Sequence, residues 1–239
     1  MKARISQWAF LAALLIPASL LFTQCSTDPS GSDMSDINIT ASGTSCSNLN
    51  STPVTVPLTE DEADALIFMR EEEKLARDIY LALSDKWGVP IFANIAASEQ
   101  RHMDAVGCMI SRYQLVDPIT DDTPGIFNNE VLAALYPALL SQGLESYEQA
   151  LQVGATIEDL DINDLNKELA SAQHTEVIAT FENLARGSRN HLRSFVGELE
   201  KLGANYTPQY ISSEEFEAII SSPMETGTAG GKGQGHGHG

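Results

Sequence analysis

The chain has 239 residues, room for one sizeable domain with appendages, and a formal net charge of −19 with only 14 basic residues. That balance argues against a nucleic-acid partner, because a phosphate backbone has to be met by a basic face. An acidic surface suits solubility and also attracts cations.

At the N-terminus, Lys2 and Arg4 precede an apolar run from Trp8 to Phe22 that Pro17 interrupts. The run is short and broken for a membrane span, so residues 1–25 read as an export signal. Its end, Leu21-Phe22-Thr23-Gln24-Cys25, resembles a bacterial lipobox, although Gln24 is larger than the residue usual before the cysteine. The resemblance implies lipid on Cys25 and an exported chain held at the cell envelope, with that anchor as its only membrane contact. Residues 26–57 are rich in Ser, Thr, Asn, Asp and Gly and contain no Lys or Arg, which predicts a flexible tether. Three cysteines make no disulfide framework. Cys46 falls in the tether, and Cys108 reads as a small core residue, with a Cys46–Cys108 bridge as the alternative.

A helical domain is expected over residues 58–220. Thr59 and Glu62 form a capping box ahead of a helix that runs to about Trp87, where Gly88 and Pro90 stop it. The following turn is short enough to force an antiparallel partner at about 91–113. A longer connection with Pro118, Pro124 and Gly125 contains a short apolar helix at about 128–141. A third long helix opens near Ser146 and runs to about 172; a fourth is expected to use Thr175 as its cap and to end near Gly203. No stretch alternates like a strand. Residues 221–239 read as a Gly/His-rich disordered tail ending in Gly-His-Gly-His-Gly.

Each long helix carries an apolar stripe with a polar interruption at mid-length. Glu73 lies between Met69 and Ala76, and Glu99 and His102 lie between Ile95 and Val106. Glu158 follows Gly154, with Asp161 one turn on, and His191 lies between Leu184 and Phe195. One such residue alone would be a hydrogen-bonded core group, and Glu73 alone could be an exposed member of Glu71-Glu72-Glu73. Four coincident interruptions point to a metal site, since a buried carboxylate has to be paired or bind a cation. A Glu and a His at i and i+3 share one face and can hold one metal together. A purely structural polar network is the plainer alternative. No nucleophile elbow or phosphate-cradling glycine loop is present.

The stretch Glu73-Lys74-Leu75-Ala76-Arg77-Asp78-Ile79-Tyr80 is similar to the first helix of ferritins and rubrerythrins, and Glu99-Gln100-Arg101-His102 to their second-helix Glu-x-x-His. Segments 70–78 and 187–192 more narrowly resemble a prokaryotic ferritin-like branch described as a domain of unknown function. The resemblance implies a ferritin-like four-helix bundle with a long crossover. Its core would hold one or two iron ions, or manganese, on Glu73, Glu99, His102, Glu158 and His191. Oxygen or peroxide would be the reaction partner, and the oligomeric state is left open. Tyr80 would brace a ligand carboxylate. The chain departs from this pattern at Ser188, where the family has a second Glu of a Glu-x-x-His; Asp161 could supply the missing oxygen. Depth counting adds a difficulty. Glu73 lies about fourteen residues before the first turn and Glu99 about nine after it, so at 1.5 Å per residue either the helices are staggered or Glu72 replaces Glu73. The alternative function is a non-catalytic module, with a degenerate site, that sequesters metal or docks a partner.

Overall fold

The structure, a computed structural model, describes residues 54–226; the expected export segment, the lipid-bearing Cys25, most of the tether and the Gly/His-rich end lie outside the described residues. Among the described residues the architecture is all-α, with six helices and no strand. They are α1 (Glu60–Trp87), α2 (Pro90–Arg112), α3 (Glu130–Gly143), α4 (Tyr147–Ser171), α5 (Thr175–Lys201) and α6 (Ser213–Ile220).

Helix α1 begins as its sequence dictates. Glu62 N–H donates to the Thr59 hydroxyl at 3.2 Å, and the Glu62 carboxylate accepts from Thr59 N–H at 3.1 Å. Glu62 does more than cap. Its other oxygen accepts from the N–H groups of Gln173 and His174, both at 2.8 Å, and so ties the start of α1 to the turn between α4 and α5. Gly88 ends the helix in the left-handed region at φ 65°, and α2 starts two residues later with Pro90 in its first turn. The pairs α1–α2 and α4–α5 pack most extensively, and α1 meets α4 as α2 meets α5.

Two apolar levels sandwich a polar one. Leu66, Met69, Val106, Met109, Leu165 and Leu184 form a buried cluster on one side. On the other, Phe195 packs against Tyr80 and Phe92 with ring centroids 5.3 and 5.9 Å away. Each such side chain contributes about 1.5–3 kcal/mol on burial, which offsets the cost of the charged level between them.

The charged run of α1 has two faces. Glu72 and Glu73 point into the core, and the residues around them hold the crossover. Lys74 is fully buried, donating to Asp78 at 2.6 Å and to the Thr123 carbonyl at 2.9 Å. Arg77 donates to Asp78 and Asp122, Arg70 to Asp117, and Glu71 accepts from the N–H groups of Asn128 and Asn129.

Three features differ from the sequence expectation. The crossover helix starts two residues later than expected, at Glu130, because Asn129 caps it, and it continues past Pro137 to Gly143. At α5 the cap position is His174 and Thr175 is already helical, since the Glu62 carboxylate replaces a side-chain cap by accepting the two N–H groups of the turn. Helix α6 was not expected. It packs on α5 after a segment held by Asp159, which is wholly buried and accepts from Tyr206 Oη and from the N–H groups of Gln209, Tyr210 and Ile211.

Candidate metal centre

The polar interruptions of α1, α2, α4 and α5 meet at one level. Glu73, Glu99 and His102 bring one potential ligand atom each within 4.8 Å of one another, and so do Glu99, Glu158 and His191. Glu99 belongs to both triads. All five sequence-predicted residues therefore come together, and none is more than 9% exposed.

The depth mismatch is resolved by a different pairing. Glu73 sits level with His102, one turn beyond Glu99, and its Oε2 lies 3.2 Å from His102 Nδ1. His102 Nδ1 is also 2.7 Å from Glu99 Oε2. On the other side, His191 Nδ1 is 2.8 Å from Glu99 Oε1 and 3.4 Å from Glu158 Oε2. Glu99 thus offers one oxygen to each imidazole. Its Oε1 and His191 Nδ1 nevertheless lack a hydrogen-bond partner, as does Glu73 Oε1. Buried polar atoms are nearly always satisfied. Carboxylate and imidazole atoms crowded within 4.8 Å of one another, with several of them left unsatisfied, are what a cation site requires.

The electrostatics point the same way. Burial works to raise Glu99, but the His191 and His102 imidazoles outweigh it and hold this carboxylate well below its ordinary range. Burial works to lower His191, yet Glu99 and Glu158 raise it to about 10. Glu73 is pushed well up by burial against the opposing pull of His102. Asp161 is raised to about 8 by burial and by the Glu158 charge. Protons on these groups do what a cation would do, and a bound metal would take their place.

Neighbouring residues fix the geometry. Tyr80 Oη donates to Glu158 Oε1 at 2.5 Å, as the resemblance implied for a bracing tyrosine. The departure at Ser188 has a local consequence: its hydroxyl donates to Asp161 Oδ2 and leaves Asp161 Oδ1 without a partner. Glu72 does not replace Glu73; it lies beside the triads, buried, with neither oxygen hydrogen-bonded. Two glycines, Gly154 on the buried stripe of α4 and Gly187 beside Ser188, make room. A Cβ at Gly187 would lie 2.5 Å from His102 Nε2, and one at Gly154 would lie 2.5 Å from the Phe195 ring. The nearest sequence signal was Gly187's position one residue before the Ser188 departure.

Cys108 corrects another expectation. It is disulfide-bonded and half-buried, not a small core thiol, and the other two cysteines lie outside the described residues.

Fold and site together define an all-α protein with a buried carboxylate–histidine cluster at mid-length of four long helices. Comparison with known proteins gives its family. Residues 62–223 match the family described as an uncharacterized protein domain (DUF2202), and the chain belongs to that family. It is 53% identical over 171 residues to the uncharacterized protein MJ0754 of Methanocaldococcus jannaschii, a match covering 72% of this chain and 92% of that protein. The crystal structure of hypothetical protein MJ0754 from Methanococcus jannaschii DSM 2661 superposes with a TM-score of 0.71 at 51% identity. It covers 73% of this chain and 99% of that one.

Proposed function

We propose that the chain is a ferritin-like four-helix bundle that binds one or two iron ions, with manganese as the alternative, and handles oxygen or peroxide. The observation that carries this reading is the pair of ligand triads sharing Glu99. One imidazole and two carboxylates per position form an oxygen-rich set that suits Fe or Mn better than Zn. Two ferrous ions held there, each going to ferric, would supply the two electrons that with two protons from solvent reduce dioxygen to hydrogen peroxide, or peroxide to two waters. The chain's own part is to place Glu99 between the positions, to orient Glu158 through Tyr80, and to exclude water with the Tyr80–Phe195–Phe92 aromatic level.

The test is metal analysis of untagged protein with Glu99→Ala and His102→Ala variants. Stoichiometric iron in the wild type and its loss from both variants is the expected result; unchanged binding in both variants sinks the reading.

Ser188 favours a second reading, sequestration without turnover, because the resemblance would put a carboxylate there. Oxygen consumption on adding ferrous iron separates the two, since a sequestering protein binds without oxidising.

We further infer that the protein is exported and tethered to a membrane by lipid on Cys25. The disulfide at Cys108 supports an oxidising compartment. Among the described residues, no helix is long and apolar enough to cross a membrane. Mass spectrometry of the mature N-terminus tests the anchor: an unmodified or retained leader would overturn it.

A further inference from the structure

Cys108 stands on the side of α2 away from the metal centre. It lies about two and a half turns past Glu99, so its side chain leaves the opposite face of the helix. The buried face of α2 runs through Ile95, Glu99, His102, Val106 and Met109, and Cys108 is not part of it. Arg101, Asp104, Ala105 and Ser111 on the same outer side are exposed. Yet Cys108 is disulfide-bonded. A sulfur in this place is reached by a segment that runs over the outside of α2, not by one packed inside the bundle.

The other two cysteines, Cys25 and Cys46, both precede α1. Two observations separate them. The chain divides into two units, Met1–Ile39 and Thr40–Gly239, and Cys46 shares the second with Cys108 while Cys25 falls in the first. The entry into α1 also lies close to Cys108, because Leu58 packs on the cluster that contains Met109 and Ile110. Cys46 precedes Leu58 by about twelve residues, or about 40 Å of extended chain, ample to cross a helix about 10 Å wide. Lipid on Cys25 would in addition take its sulfur out of the pairing altogether.

We propose that Cys46 and Cys108 form the disulfide, and that the bundle is thereby attached to its membrane anchor through the outer face of α2 instead of the start of α1. The closed loop contains nearly all of the α1–α2 hairpin, and with it Glu73, Glu99 and His102, the whole of one triad. Forming the S–S bond removes one hydrogen from each thiol. The two electrons and two protons pass to a protein disulfide of the export compartment, which becomes a dithiol. Residues 26–45 then span from lipid to bundle, about 65 Å at most, where the tether up to residue 57 would span about 105 Å. The attachment rests on the reading of Cys25 as the lipid-bearing residue; the pairing does not.

The experiment uses the full chain, exported by a bacterial host, digested without reduction and mapped by mass spectrometry. A Cys46 peptide joined to a Cys108 peptide and parting on reduction, with lipid on Cys25, is the expected result. A bond between Cys25 and Cys108 overturns the pairing and the anchor together, and a free Cys46 thiol beside a lipid-bearing Cys25 overturns the pairing alone. A Cys46–Cys108 bond with no lipid on Cys25 upholds the pairing and brings down the anchor. The attachment is read on the host's membrane vesicles, with a specific protease site inserted between Ser51 and Thr52. Cleavage there should leave the bundle bound until a reductant is added, and Cys46→Ser with the same insertion should be released by the cut alone. Release of the unsubstituted chain by the cut alone overturns attachment through α2.

Discussion

Glu99 Oε1 lies 2.8 Å from His191 Nδ1, yet neither atom has a hydrogen-bond partner. The other oxygen of Glu99 stands 2.7 Å from His102 Nδ1. One carboxylate therefore joins two imidazoles that come from different helices, α2 and α5, and whose ring centroids are 5.7 Å apart. Removing it should affect both triads at once. Glu99→Gln is expected to abolish metal binding at both positions, whereas Glu158→Gln should weaken only the position that includes His191. Equilibrium titration with Mn²⁺ or Fe²⁺ reads the difference, and equal losses in the two variants would contradict the shared role of Glu99.

Tyr80 tests the surroundings of the same site. Its hydroxyl is buried against Glu158, and Tyr80→Phe removes that donor while keeping the ring packed on Phe195. Loss of such a supporting contact typically costs 10–100-fold in metal affinity, so a drop of about 10-fold is expected at the Glu158 position. The metal-free protein should also lose about 1–3 kcal/mol of stability, because the buried Glu158 gives up a donor, so affinities are compared on folded protein.

Gly187 has a steric role. A Cβ there would sit 2.5 Å from His102 Nε2, and the ring is enclosed and cannot simply swing aside. Gly187→Ala should therefore destabilise the fold by about 1–3 kcal/mol and weaken metal binding at the His102 position. Gly197 on the same helix meets nothing within 4 Å, so Gly197→Ala serves as the control and should leave both properties intact.

Among the ion pairs, burial decides the magnitude. Lys74 and Asp78 are wholly buried at 2.6 Å, and Lys74→Ala removes one of the two cations on Asp78 and the donor to the Thr123 carbonyl, leaving Arg77 and Gly125 N–H on the carboxylate, for an expected cost of about 2 kcal/mol. The Arg70–Asp117 pair is more open, its Asp117 side chain 39% exposed, and Asp117→Ala should cost no more than about 1 kcal/mol. Chemical denaturation of the two variants measures the contrast, and similar losses would contradict it.

Glu62 predicts acid sensitivity. Burial alone would raise its pKa, but the N–H groups of His174 and Gln173, with Thr59, outweigh burial and lower it from 4.5 to about 2. A depressed folded-state pKa means that the stabilisation is complete above pH 4.5 and is lost as pH falls towards 2. The expected contribution is about 2 kcal/mol. Stability measured between pH 6 and 2 should fall less steeply in Glu62→Gln than in the wild type, after subtracting the variant's lower starting value.

Much of this protein was determined by the sequence alone, because local geometry is a local property. The Thr59–Glu62 capping box, the Gly88 stop and the Ser146 start follow from backbone hydrogen bonding within a few residues. The polar interruptions at Glu73, Glu99, His102, Glu158 and His191 were legible because helical periodicity places them on buried stripes. Tertiary structure decided what that periodicity could not carry. Spacing along one helix is set by its rise, but the stagger between helices is set by turns and packing, so only the fold could place Glu73 level with His102 instead of Glu99. The same holds for contacts between residues remote in sequence: Asp161 turned by Ser188, Lys74 anchoring Thr123, and the 204–211 segment folded over Asp159 ahead of α6. Buried charges choose their partners by proximity in three dimensions, and it is there that Glu72 was left with neither oxygen hydrogen-bonded and Asp161 with Ser188 on one oxygen alone.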